Sequence, residues 1–122
     1  MPTPPAAALR QAADMIKDAA RRQQDAEPRH EDFYAIATAS GHVLEALFAM
    51  NANVGAQLAR YGEGRRPRTD VDGRGPAEVL DTAMSHSATL HATLTQAARA
   101  ARNLAEECAR LGILPEPEPA ED

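Results

Sequence analysis

At 122 residues and 43% hydrophobic content, the chain is large enough to fold as one domain around one core without disulfides or metals. Its formal net charge of −5 excludes a whole-surface footprint for nucleic acid or anionic lipid, because such binding draws on many positive contacts. The single cysteine, Cys108, excludes an internal disulfide and fits a reducing compartment.

Thr3 followed by Pro4 and Pro5 reads as an N-cap with proline in the first turn, so a first helix is predicted over about 5–25, behind a disordered N-terminus at 1–4. Leu9, Ala13, Ile16 and Ala20 give it one narrow apolar stripe with Met15 beside it. No charged-then-apolar leader follows Met1 and no apolar run approaches the length of a membrane span, so a cytoplasmic protein without membrane contact is expected.

The link from Ala26 to Arg29 contains Pro28 and is short, which predicts a second helix, about 29–61, antiparallel to the first. Phe33, Ala37, Ser40, Leu44, Leu47, Asn51, Val54, Leu58 and Tyr61 follow one another in four-three steps, the spacing of a coiled-coil-like packing seam. Ile36, Val43 and Met50 on one flank, with Tyr34 and Phe48 on the other, widen that arc and mark a central helix with a neighbour on each side. Gly41 and Gly55 within it point to close approach of a neighbouring backbone.

The pattern stops from 62 to 75, where Gly62, Gly64, Gly73 and Gly75 stand among Arg65, Arg66, Arg68 and Arg74. This is a loop. Asp70 and Asp72 keep it only slightly positive and it carries no aromatic residue to stack on a base, so its arginines are candidates for an acidic partner surface or, as the weaker reading, for nucleic acid. Pro76 opens a third helix, about 76–111, with the unbroken series Leu80, Ala83, Ser87, Leu90, Leu94, Ala97, Ala101, Leu104, Cys108 and Leu111. Leu111-Gly112-Ile113 ends it as a left-handed C-cap, and Pro115, Pro117 and Pro119 alternating with Glu116 and Glu118 make 113–122 an acidic extended tail.

The predicted fold is therefore all-α, an antiparallel three-helix bundle of a short first helix and two long ones. A first helix of roughly 30 Å cannot cover a hairpin of roughly 50 Å. Tied to the start of the second helix, it should cover the half holding Phe33 to Leu47 and leave Met50, Asn51, Val54, Leu58, Tyr61, Val79, Leu80 and Met84 for a partner. A homodimer with a four-helix core is expected, with Asn51 a candidate for pairing with itself across the dimer.

Among residues that could carry chemistry, His42 lies opposite the predicted seam, and His42-x-Leu44 resembles the start of the histidine-phosphotransfer signature. That family has lysine and glycine three and four residues after the histidine, where this chain has Glu45 and Ala46. The resemblance implies a regulatory phosphoacceptor at His42. His86 and His91 are separated by about 140° around their helix and cannot share an ion. Asp70-x-Asp72-Gly73 lacks the remaining ligands of a calcium loop, and no nucleophile stands beside a base. No catalytic residue, metal or cofactor is predicted. The expected function is that of a small non-enzymatic accessory or regulatory protein working through helix-mediated protein–protein interaction and self-association, with a His42-centred phosphotransfer module and a nucleic-acid regulator using loop 62–75 as the alternatives.

Overall fold

The computed structural model describes residues 2–63 and 75–111. The arginines at 65, 66, 68 and 74, the acidic tail and the Gly112-Ile113 cap lie outside the described residues. The protein has the expected all-α fold of one short and two long helices, with no strand among the described residues: α1 (Pro5–Asp25), α2 (His30–Glu63) and α3 (Pro76–Leu111).

α2 and α3 form a long antiparallel hairpin. α2 starts sharply because Asp32, in its first turn, reaches back to accept a hydrogen bond from the Arg29 backbone N–H at 2.9 Å, half of a capping box. Glu31 and Asp32 also place negative charge at the positive end of the helix dipole. The register is fixed along the whole hairpin by Gly41 lying against Ala101, Phe48 against His91, Asn51 against Ser87 and Gly62 against Leu80.

The seam between the two helices differs from the predicted one by about one residue. On α2 it runs through Ala37, Gly41, Leu44, Phe48, Asn51, Gly55, Leu58 and Gly62. On α3 it runs through Leu80, Ser87, His91, Leu94, Ala98, Ala101, Ala105 and Cys108. Phe33, Val54, Tyr61, Leu90, Leu104 and Leu111, expected on the seam, are all more than 40% exposed. The cause is the size of the seam residues. Glycine recurs on the α2 line and alanine on the α3 line, where they let the backbones come close, sharing the seam with Leu44, Phe48, Leu58, Leu80 and Leu94 and leaving Val54, Leu90 and Leu104 on the flank.

α1 does not lie along the first half of the hairpin, as its short connection predicted. None of its residues is buried, and α2 with α3 is the only packed pair of elements among the described residues. Two physical reasons account for this. Its stripe holds only Leu9 and Ile16 as large aliphatics, each worth about 1.5–3 kcal/mol when fully buried. Its exit is also extended: Ala26 has φ −90° and ψ 146°, and Glu27 precedes Pro28, which disfavours helical backbone. α1 begins at Pro5 behind Pro4 and has no side-chain cap, so Thr3 is not its N-cap.

Candidate functional site

Once the seam is located, the surface of the hairpin divides into two unlike faces. Residues one step before each seam position, and those three or four before them, share a flank of their helix. In an antiparallel pair the corresponding flanks of the two helices meet on the same side, because reversing one helix reverses its sense of rotation.

On one side the flank of α2 carries Ile36, Val43, Leu47, Met50 and Val54, and that of α3 carries Val79, Leu90, Ala97 and Leu104. Ile36 is 42% exposed, Val54 47%, Leu90 48% and Leu104 57%. Ser40, Gln57, His86 and Thr93 interrupt the stripes, and Glu107 near the end of α3 is the only acidic residue on them among the described residues. The hydroxyl of Thr93 donates to the Thr89 carbonyl at 2.9 Å, so this polar atom is satisfied within its own helix.

The opposite side is polar where the first half of α2 meets the second half of α3, and beyond it α2 presents Ala49, Ala52, Ala56 and Ala59. Arg102 bridges to Glu45 across the hairpin at 3.5 Å, with both side chains more than half exposed. Such a pair contributes little to stability. An open groove of about 260 Å³ beside it is lined by Thr38, His42, Glu45, Arg102 and Glu106. Thr38 Oγ1 is buried there without a hydrogen-bond partner.

The sequence-derived partner surface is therefore redistributed. Val54, Met50 and Val79 lie on the apolar face, with Tyr61 at its end. Leu58 and Leu80 are half-buried in the seam, and Met84 sits at the seam's edge. Asn51 is 8% exposed and turned toward α3, where its Nδ2 donates to the Ser87 carbonyl at 2.9 Å and its Oδ1 accepts from Ser87 Oγ at 3.2 Å. Both ends of its amide are engaged within the chain, so it does not face a dimer partner. The uncovered surface extends further than the second half of the hairpin, since without α1 over it the Phe33–Leu47 half is open too. Ile36, Val43, Leu90 and Leu104 are the members of this surface that sequence spacing assigned elsewhere or left as flanks.

His42 is exposed on the polar side, next to the Glu45–Arg102 pair. No group of three or more histidine, cysteine or acidic side chains that could hold a metal occurs among the described residues. Cys108 is a buried free thiol in the seam. The chain matches no protein-family model, no curated protein and no solved structure.

One expectation about hydropathy needs correcting. α2 contains an 18-residue window of mean hydropathy 1.3, long and apolar enough by length and composition to cross a membrane, and only 11% of that window is buried. Interspersed serine, asparagine and histidine hide this from a search for continuous apolar runs. A helix apolar on several sides calls for a neighbour on each of them.

Proposed function

We propose that this chain is a non-enzymatic accessory or regulatory protein that acts by binding protein through the flank of its helical hairpin. The observation that supports the reading is the apolar face carrying Ile36, Val43, Val54, Leu90 and Leu104, over which no layer of the chain itself is packed among the described residues. Soluble monomers rarely expose contiguous apolar patches above about 300–600 Å². Two helices of this length, each about 10 Å across, present a footprint on the order of 1,000 Å².

The opposite face adds a polar groove, an exposed ion pair and His42, but it has no convergent set of groups for acid–base, nucleophilic or metal chemistry among the described residues. The test is a comparison of the full chain with a Val43→Glu, Leu90→Glu variant in bis-ANS titration and in crosslinking within the native cell. Retained helicity with loss of both dye binding and crosslinked products is the expected result. Crosslinked products unchanged by the double substitution would place binding elsewhere on the molecule.

A further inference from the structure

Which partner fits the face can be read from the order of residues along it. The hairpin register puts Leu47 of α2 level with Thr93 and Leu94 of α3, because Phe48 faces His91 and Gly41 faces Ala101. These positions lie at the midpoints of both helices.

We infer that the occupant is a second copy of this chain, laid face to face and antiparallel, with a two-fold axis crossing the hairpin at Leu47 and Thr93. This rests on the reading of the apolar face as a protein-binding surface and names its partner. A two-fold interface must be complementary to itself, each residue meeting the one equally far on the other side of the axis. The face meets that condition on both helices about the same level. On α2, Leu47 meets Leu47 of the second copy, Val43 meets Met50, and Ser40 meets Val54. On α3, Thr93 meets Thr93, Leu90 meets Ala97, and Leu104 meets Ala83. Ser40 with Val54, Leu90 with Ala97 and Leu104 with Ala83 set a large side chain opposite a small one, Leu47, Val43 and Met50 form an apolar centre, and toward the ends Ile36 falls level with Gln57 and Val79 with Glu107.

Length and charge select the same occupant. α1, at 21 residues, spans about 32 Å and cannot cover helices of 34 and 36 residues that span about 50 Å, whereas a second hairpin matches them end to end. Two copies together bury on the order of 2,000 Å², at the upper end of standard stable interfaces. Glu107 stands near the end of the interface, where water reaches it, and the Thr93 hydroxyl on the axis is already bonded to Thr89. Every neighbouring pair of helices in the resulting four-helix core is antiparallel, so the helix dipoles oppose one another.

The test combines mass with geometry. Sedimentation equilibrium of the full chain should give twice the 13.0 kDa of one chain, and Val43→Glu should weaken association by about 100-fold or more while retaining helicity. With Cys108→Ala as background, Thr93→Cys should form an interchain disulfide in a glutathione buffer and Asn53→Cys, on the outer side of α2, should not, because a disulfide requires Cα atoms within about 7 Å. A dimer that Thr93→Cys does not crosslink would overturn the two-fold arrangement. A monomer that still binds bis-ANS in a Val43-dependent way, or that floats with phosphatidylcholine vesicles, overturns the second copy, and the dye result leaves a binding surface for another protein. A monomer that binds neither overturns the inference and the binding-surface reading together.

Discussion

Asn51 and Ser87 exchange two hydrogen bonds across the middle of the α2–α3 seam, at 2.9 and 3.2 Å, with Asn51 buried. The pair fixes register because only one axial offset of the helices brings the asparagine amide to both the carbonyl and the hydroxyl of one serine. Asn51→Ala should cost about 1–3 kcal/mol, as it takes from the half-buried Ser87 hydroxyl its acceptor across the seam. Asn51→Leu should leave the urea midpoint near that of the parent or above it, while amide spectra broaden or multiply as alternative offsets become populated. A single sharp spectrum for the leucine variant would show that the glycine contacts alone set the register.

Gly41 and Gly55 look alike in the sequence but not in the structure. A Cβ built at Gly41 would sit 3.7 Å from Ala101 Cβ, ordinary contact, whereas one at Gly55 would sit 3.3 Å from Ser87 Oγ. Gly41→Ala should therefore stabilise the protein by up to about 1 kcal/mol through helix propensity. At Gly55 the same gain is offset by moving Ser87 away from Asn51, so Gly55→Ala should be neutral or destabilising. Thermal or urea denaturation of the two variants side by side checks the difference in sign.

α1 carries no buried residue and packs against neither other helix. Isolated helices of this length are marginal in water, so its amides should exchange with deuterium close to the unprotected rate while those of the hairpin seam are protected. Protection in α1 that disappears on dilution would indicate that it is ordered by association.

Cys108 gives a readout of the hairpin itself. The thiol is 7% exposed and lies in the seam near the end of α3. In native buffer its reaction with a bulky disulfide reagent should be slow and limited by local opening, then become fast in urea at the concentration where helicity is lost. A rate in native buffer equal to that of a free thiol would mean that this end of the hairpin is open.

The helices themselves are legible in the sequence because α3 has proline at its first position and both long segments repeat apolar residues in four-three steps. The face of each helix is not. Two such series run side by side along α3, one through Leu90, Ala97 and Leu104 and one through His91, Ala98 and Ala105, and spacing cannot rank them. Choosing the series with larger residues fails here, since Gly41, Gly55, Ala98 and Ala105 share the seam with Leu44, Leu58, Leu80 and Leu94, while Leu90 and Leu104 flank it. The glycines are the usable signal: Gly41, Gly55 and Gly62 form their own four-three-compatible line and mark the true contact. The docking of α1 escapes a sequence reading for a related reason, as a short connection allows antiparallel packing without supplying the apolar area that holds it.

The exchange of seam and flank makes Leu90 and His91 a decisive pair of substitutions. The Phe48 and His91 rings lie with centroids 4.2 Å apart and planes tilted by 40°, a contact that joins the two helices although His91 is itself exposed, whereas Leu90 is 48% exposed on the flank. His91→Ala should weaken the hairpin by about 0.5–1.5 kcal/mol at every protein concentration, because the lost ring contact is within one chain. Leu90→Ala should leave the unfolding midpoint of dilute protein within about 0.5 kcal/mol of the parent, as surface truncations do. At high concentration the proposed dimer would make it cost more, because association would stabilise the folded chain by mass action and Leu90 lies in the face proposed to associate. Urea unfolding at two concentrations separates the cases: a Leu90→Ala cost that is large and independent of concentration would put Leu90 back in the seam.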